Sequence, residues 1–259
     1  MPLGHYLLTN VDGWRNVVNP KHDKDLVVLI LGEERIGKST LGFEIASYFD
    51  KDFTVKNIAW DVKAYKRLVY SVPKCSAIMA DEGVSMFFSR NAMSRDNKEA
   101  VDLFTICGHQ NLLHIICATR LSGLDSYLKD GRIGVIIRVV ARGRYKFYSK
   151  NKVKSVKKLP NGKYVWPTCS FTEGYSYPPE NKEEYAKYKK AKADYNKERL
   201  APAEEDGLML LAEAARYAHR NTKTIKRWVE KKLLEVKVIK GKTYYDAVDI
   251  DKIIEAKGA

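Results

Sequence analysis

The sequence predicts an α/β fold with a mainly parallel sheet, followed by a small second domain. Short apolar runs rich in β-branched residues alternate with segments of helical period as far as about residue 118. After residue 132 this alternation gives way to a basic stretch, and then to a second set of short helices and strands. The length of 259 residues accommodates one medium and one small domain, and a hydrophobic content of 45% suffices for an ordinary core.

Four apolar runs predict the parallel strands. They lie at 25–32, 57–60, 75–80 and 112–118, and the segments between them predict helices at 38–49, 61–71 and 96–107. The second of these helices has clear ends, because Asp61 is a favourable N-cap residue and Pro73 cannot continue a helix. Strands that alternate with helices imply a sheet covered on both faces.

A β-hairpin is predicted after residue 132, with its turn near Arg142 and Gly143. From residue 141 to 199 the chain holds 16 Lys and Arg residues against 6 Asp and Glu residues. This stretch also includes a polar helix, rich in Tyr and Lys, at about 180–199. We therefore predict a first domain at 1–150, a basic extension and linker at 151–205, and a second domain at 206–259.

A formal net charge of +14 favours a polyanionic partner. Nucleic acid is the first candidate and an anionic membrane surface is the second. The longest apolar runs are far too short to span a bilayer, and no apolar N-terminal segment follows a basic start. The four cysteines show no CxxC pairing, and three of them lie in apolar segments, where a buried reduced thiol is the ordinary interpretation. These features predict a cytoplasmic protein that does not act in a membrane.

The stretch GEERIGKS matches the phosphate-binding pattern G-x-x-x-x-G-K-[ST] in full. It follows a predicted strand and opens a predicted helix, which is the context that this pattern requires. Gly32 and Gly37 let backbone N–H groups curl around phosphates. Lys38 would neutralise the β- and γ-phosphates, and Ser39 would bind Mg²⁺. Thr40 is placed to contact the α-phosphate.

Two acids, Glu33 and Glu34, stand in the variable part of this loop, where a polyanion should bind. The variable positions form the outer bend, where only backbone groups face the phosphates. Both carboxylates can therefore point to solvent, and Arg35 offsets one of them. The alternative is a degenerate loop that binds no nucleotide.

Asp81 follows the third predicted strand and is placed to hold Mg²⁺ through water. Glu82 would orient and activate the attacking water. Thr119 ends the fourth strand, where a polar residue senses the γ-phosphate in ATPases that have an additional strand. The alternative for Asp81 and Glu82 is an ordinary acidic segment where a strand runs into a loop. The alternative for Thr119 is a polar residue that merely ends its strand. No guanine-reading NKxD motif is present, so ATP and Mg²⁺ are the predicted cofactors.

The motifs GEERIGKST, IMADEG and IICATR, in that order, resemble the ASCE division of P-loop ATPases. More narrowly, DEG…FFSR and NLLHIICATRLSGLDSYLKDGRI, with the basic hairpin after them, are similar to the HerA/FtsK and Zot-like group of viruses and plasmids. This resemblance covers about residues 20–150 and implies a RecA-like core. It also implies a homo-oligomeric ring, usually a hexamer, in which an arginine acts at the neighbour's site. The candidate arginines are Arg90, Arg95, Arg120 and Arg132.

Residues 207–255 carry a second resemblance. The stretch LMLLAEAARYAHRNTKTIKRWVEKKLLEV, with a hairpin after it, is similar to the MerR/excisionase winged helix-turn-helix. That family implies a recognition helix in the major groove of DNA and a wing along the backbone. The predicted DNA contacts are Thr222, Lys223, Thr224, Lys226, Arg227, Lys240, Lys242 and Tyr244. The alternative is a helical protein-interaction module with a solvated basic face.

Together these features predict a DNA-binding ATPase of a mobile genetic element. The first hypothesis is an enzyme that translocates, packages or remodels duplex DNA. The rival is an ATP-gated, sequence-specific regulator, replication initiator or partition protein with slow turnover. Glu82 favours the enzyme, whereas a sequence-reading domain in the same chain favours the regulator.

Overall fold

A computed structural model gives the structure of the chain in two units. It describes residues 3–81, 87, 107–124, 128–176, 179–200, 208–239 and 242–258. The first unit spans Met1–Ala193 and the second spans Asp194–Ala259. No helix in the described ranges is long and apolar enough to cross a membrane.

The first unit is built on a seven-stranded sheet. Its strands are β1 Leu26–Leu31, β2 Ile58–Ala59, β3 Ala77–Ala80, β4 Leu113–Ala118, β5 Ile133–Ala141, β6 Arg144–Tyr148 and β9 Phe171–Gly174. Their order in the sheet is β2-β3-β4-β1-β5-β6-β9. The first five strands in this order run parallel to one another, and the pairings of β5 with β6 and of β6 with β9 are antiparallel. The predicted α/β class with a mainly parallel sheet is confirmed.

Helices cover both faces of this sheet. They are α1 His5–Val17, α2 Lys38–Phe49, α3 Val62–Ser71, α4 Lys150–Lys154 and α5 Lys182–Leu200. Because side chains alternate along a strand, Val28 and Ile30 of β1 join the core formed with α1 and α2. Leu29 of β1 joins the opposite core, which contains Tyr65 and Val69 of α3. As predicted, α3 is capped by Asp61, whose Oδ1 accepts from the Ala64 N–H at 2.7 Å.

The first unit extends beyond the predicted boundary at residue 150, because β9 pairs with β6 in the same sheet. Phe171 of β9 stacks on Phe147, with ring centroids 4.5 Å apart. The carboxylate of Glu173 accepts hydrogen bonds from the Leu7 N–H at 3.0 Å and from the Tyr145 hydroxyl at 2.8 Å. Sequence patterns did not predict β9 or α1, since both are held by contacts between distant residues. A further hairpin joins β7 Lys157–Lys158 to β8 Tyr164–Val165.

From residue 208 onward, the described residues of the second unit form three helices and a three-stranded antiparallel sheet. The elements are β10 Leu208–Met209, α6 Leu211–Tyr217, α7 Thr222–Glu230, β11 Val236–Ile239, β12 Lys242–Asp246 and α8 Ala247–Gly258. Asn221 caps α7 by accepting from the Thr224 N–H at 2.8 Å. The apolar side chains Ala214, Ile225 and Trp228 lie in one core with Tyr245 and residues of α8. The predicted helix pair and hairpin are therefore present.

A buried polar cluster lies at the amino ends of the parallel strands in the first unit. Asp25 precedes β1 and forms an ion pair with Arg132, which precedes β5. His114 of β4 is fully buried, with its Nε2 3.6 Å from Asp25 Oδ2 and its Nδ1 2.6 Å from the Tyr65 hydroxyl. Burial lowers the pKa of His114, and the neighbouring Asp25 only partly opposes that effect. Burial opposes ionisation of Asp25, but its contacts with His114 and Arg132 lower its pKa below the usual value.

We predict that this cluster makes the fold less stable in mild acid. The folded state keeps His114 neutral, whereas the unfolded chain protonates it below its ordinary pKa of about 6.5. The contribution of neutral His114 to the free energy of unfolding is therefore complete above about pH 6.5 and is lost as the pH falls below that value. Urea unfolding at about pH 7.5 and about pH 5.5 should show a larger loss of unfolding free energy in the wild type than in His114→Gln. Equal losses in the two proteins would contradict this assignment.

Candidate nucleotide-binding site

The loop between β1 and α2 is tightly curled. Gly37 has φ 104°, a left-handed conformation that favours glycine. A Cβ at Gly37 would collide with the Tyr175 hydroxyl, and a Cβ at Gly32 would lie 2.8 Å from the Val139 carbonyl oxygen. Arg35, at the outer bend, also has a positive φ of 60°. The sequence pattern therefore forms a compact loop at the carboxyl end of β1, directly before the N-terminus of a helix, which is the arrangement that binds phosphate.

Lys38 is half-buried at the first position of α2. Its ammonium group donates to the Glu33 carbonyl oxygen at 2.5 Å, so it lies against the backbone of the loop. Burial lowers the pKa of Lys38 from its usual value. A phosphate that enters the loop would bring compensating negative charge to this ammonium group.

Asp81 and Ser39 meet beside the loop. Asp81 follows β3 with only 2% of its surface exposed, and its Oδ1 accepts from the Ser39 hydroxyl at 2.7 Å. Hydroxyl and carboxylate oxygens are the hard donors that Mg²⁺ prefers, so these two residues fit a magnesium ion. β4 lies between β1 and β3 in the sheet, so Thr119 follows a strand that separates the strand before the loop from the strand before Asp81.

Thr119 follows β4 at the same edge of the sheet as the loop. Thr119 and Arg120 are both exposed and help to line a cavity of ≈ 610 Å³ that reaches Gly32 and Glu33. Arg138 also lines this cavity, with its guanidinium 4.4 Å from the centre of the Trp166 ring. The structure thus brings the predicted sensor residue to the phosphate-binding loop, although its role in sensing stays a prediction.

Helix α5 adds three side chains that the sequence analysis missed. The Tyr185 hydroxyl lies 2.6 Å from the Thr40 hydroxyl, and the Tyr188 hydroxyl donates to Asp81 Oδ2 at 2.6 Å. Lys192 donates to the same Asp81 oxygen at 2.7 Å. The spacing of the three residues by three and then four positions places them on one helix face. Two tyrosines and a lysine at this spacing, in a helix that is otherwise mostly polar, are the signal that could have identified these contacts.

Helix α5 therefore contributes a hydrogen-bond donor and a positive charge to the surroundings of Asp81. Burial raises the pKa of Tyr188, and the negative charge of Asp81 raises it further. The tyrosine thus remains a hydrogen-bond donor to the carboxylate, while Lys192 supplies the positive charge. Tyr175, which precedes α5, also donates to the Gly37 carbonyl oxygen at 3.1 Å.

The other predicted site residues are distributed as follows. Glu82, Arg90, Arg95 and Lys240 lie outside the described residues. Arg132 is paired with Asp25 at the amino ends of the strands, which is the edge opposite the loop. Arg132 therefore lies away from the nucleotide site of its own chain. Its action at the site of a neighbouring subunit stays a prediction.

The predicted DNA contacts lie in the second unit. Thr222, Lys223, Lys226 and Arg227 of α7 are exposed, and Thr224 and Tyr244 are half-buried. Lys242 begins β12. The buried face of α7 thus leaves the basic residues on its outer face. Contact with DNA is a prediction that these positions permit.

The chain is similar to known proteins in structure, at low sequence identity. No protein-family model matches the sequence, and a comparison with curated proteins also finds no match. Several solved structures are similar over part of the chain. The genome packaging NTPase B204 from Sulfolobus turreted icosahedral virus 2, in complex with ATP-gammaS, is 13% identical with a TM-score of 0.37, covering 58% of this chain and 99% of that one.

Two further structures illustrate the range of similar proteins. The N-terminal domain of zonular occludens toxin from Neisseria meningitidis is 15% identical with a TM-score of 0.38, covering 57% of this chain and 95% of that one. ATPases 2 and 3 of EssC from Geobacillus thermodenitrificans are 12% identical with a TM-score of 0.38, covering 68% of this chain and 44% of that one. The chain is thus similar to these proteins at low identity, and the assignment of its site rests on its own residues.

We predict that Lys38→Ala strongly weakens nucleotide binding. Removing a charge-assisted contact to the phosphates should raise the dissociation constant by roughly tenfold or more. Titration with a fluorescent ATP analogue in the presence of Mg²⁺ measures this dissociation constant. Lys63→Ala, at an exposed position of α3, removes the same charge away from the loop and should bind as the wild type does. Equal affinities for all three proteins would show that the loop does not bind the phosphates.

Proposed function

We propose that the first unit is a magnesium-dependent ATPase. The observation that carries this proposal is the complete phosphate-binding loop together with the hydrogen bond between Ser39 and Asp81. The two residues are 42 positions apart and come from different elements, yet their oxygens are 2.7 Å apart beside Lys38. If Asp81 were only an acidic residue at the end of a strand, with no role in binding, there would be no reason for it to meet Ser39 of the loop helix.

In the proposed reaction each residue has a distinct role. Lys38 and the backbone N–H groups of the loop bind the β- and γ-phosphates, and Thr40 contacts the α-phosphate. Ser39 and Asp81 hold Mg²⁺, which when bound supplies positive charge to the phosphates. Glu82 accepts the proton of the water that attacks the γ-phosphorus, so that the bond to the β-phosphate oxygen breaks and yields ADP and phosphate.

The role of Glu82 can be tested separately from nucleotide binding. Glu82→Gln removes the proton acceptor but keeps a similar shape, so it should bind ATP with unchanged affinity and lose turnover by about 10²-fold or more. Phosphate release and binding of a fluorescent ATP analogue are the two measurements. Normal hydrolysis by Glu82→Gln would show that another group takes the proton.

We further propose that the second unit binds duplex DNA as a winged helix-turn-helix. Three features support this. Helix α7 buries Ile225 and Trp228, so Lys223, Lys226 and Arg227 remain exposed. The antiparallel pair β11 and β12 follows α7 as a wing would. The formal net charge of +14 also fits a polyanionic partner.

The proposed whole is an ATPase of a virus or plasmid that works on duplex DNA in the cytoplasm as a homo-oligomer. Translocation, packaging or remodelling are the activities for which Glu82 argues. An arginine of a neighbouring subunit would complete the site, with Arg90, Arg95, Arg120 and Arg132 as candidates. Arg120 is exposed beside Thr119 in its own chain, so it is also placed to act in cis.

A second candidate function is an ATP-gated, sequence-specific DNA-binding regulator. The observation that favours it is α5, which contacts Thr40 and Asp81 in the first unit and then leads into the second unit. In this case the nucleotide would control DNA binding and turnover would be slow. Hydrolysis stimulated strongly by duplex DNA supports the enzyme, whereas DNA affinity that changes with nucleotide at constant slow turnover supports the regulator.

We predict that removing Lys226 and Arg227 together weakens DNA binding and lowers its dependence on salt. Each phosphate contact contributes a slope of about 0.9 in a plot of log affinity against log salt, so the double alanine variant should lose a slope of up to about two. Fluorescence anisotropy with a labelled duplex, repeated over a range of salt concentrations, measures both the affinity and this slope.

The matched control for this experiment is the alanine variant of Lys63 and Arg67, which are exposed on α3 in the first unit. It loses the same two charges from a helix of the ATPase unit. If both double variants weaken DNA binding equally, net charge and not α7 determines the affinity, and the proposed recognition helix is wrong.

A further inference from the structure

One face of α5 lies on the proposed magnesium and nucleotide site. Tyr185 contacts the Thr40 hydroxyl, while Tyr188 and Lys192 both donate to Asp81 Oδ2. The other carboxylate oxygen of Asp81 accepts from Ser39. Both oxygens of this buried carboxylate are therefore engaged, one by the loop helix α2 and one by α5.

Lys192 places a positive charge in direct contact with the Asp81 carboxylate. A buried carboxylate without a counter-charge is strongly unfavourable. Asp81 is 2% exposed, and Lys192 lies 2.7 Å away with 27% of its side chain exposed. A lysine side chain that reaches the surface can withdraw its ammonium group to water without entering another buried position.

We propose that Lys192 is an internal counter-cation of the magnesium site, which pairs with Asp81 when the metal is absent and leaves Asp81 when magnesium and nucleotide bind. An ammonium group and a divalent cation near one carboxylate repel each other in a poorly solvated site. Either positive ion satisfies the charge of Asp81, so the two compete. The inference rests on the proposed nucleotide site and is independent of DNA binding.

This competition has a consequence for the rest of α5. The helix runs from Lys182 to Leu200, and the boundary between the units falls within it, after Ala193. Release of Lys192 removes the ion pair that fixes the third turn of the helix on the first unit. Binding at Asp81 therefore loosens the segment of chain that enters the second unit.

The test compares Lys192→Met with Lys190→Met in the full chain. Lys190 lies on the exposed side of the same helix, away from Asp81. Both changes remove one positive charge and introduce methionine, which is a good helix former. Titration of Mg²⁺ at fixed concentration of a fluorescent, non-hydrolysed ATP analogue gives the half-saturating Mg²⁺ concentration. Without its competitor, Lys192→Met should reach half-saturation at a Mg²⁺ concentration on the order of threefold to tenfold lower than wild type. Lys190→Met should match the wild type.

A second variant separates charge from hydrogen bonding and protects the test against misfolding. Lys192→Gln keeps a donor but removes the charge, and it should show the same lowered half-saturation. In the wild type, hydrogen–deuterium exchange of backbone amides 186–195 should become faster when Mg²⁺ and the analogue are added together. This readout needs no variant and no turnover.

The outcomes distinguish this inference from the proposed function. Half-saturation that is unchanged or raised in both Lys192 variants would overturn the inference alone, as would exchange in α5 that slows on binding. If the wild type shows no magnesium-dependent nucleotide binding, both the ATPase proposal and this inference fail.

Discussion

The site in the first unit depends on the burial of one charge, the carboxylate of Asp81. A carboxylate with 2% exposure persists only if neighbouring groups neutralise and solvate it. Ser39 donates a hydrogen bond to it from the start of α2. From α5, Tyr188 donates a hydrogen bond and Lys192 supplies positive charge. The phosphate-binding loop, the end of β3 and the helix that leads to the second unit are therefore tied to a single carboxylate.

The parallel sheet brings these groups together because the carboxyl ends of its strands lie at one edge. The loop follows β1, Asp81 follows β3 and Thr119 follows β4, which lies between them. The amino edge carries a different polar cluster, in which Asp25 binds Arg132 beside the buried His114. The two edges thus separate a site open to a ligand from a cluster that stabilises the fold.

Sequence patterns predicted the strands β1, β3 and β4 well, because each is a continuous apolar run that is buried on both faces. They also predicted the cap of α3 and the hairpin of β5 and β6. They predicted the helix α5 at about 180–199 but not its contacts with Thr40 and Asp81. They failed at β9, which lies in a polar and basic stretch of the chain. The stability of β9 comes from pairing with β6 and from Glu173, which bonds to Leu7 at a separation of 166 residues. No local period records such contacts, so the segment resembled a linker.

The sequence by itself determined the groups that we propose contact phosphate and metal, since GEERIGKST folds into its loop through the conformations of adjacent residues. It also placed Asp81 and Thr119 at strand ends. Only the tertiary structure decided what neutralises Asp81. The charge comes from Lys192, 111 residues away, and such a partner is selected by the packing of α5 on the sheet. Backbone geometry is encoded by neighbours in the chain, whereas compensation of a buried charge is decided by neighbours in space.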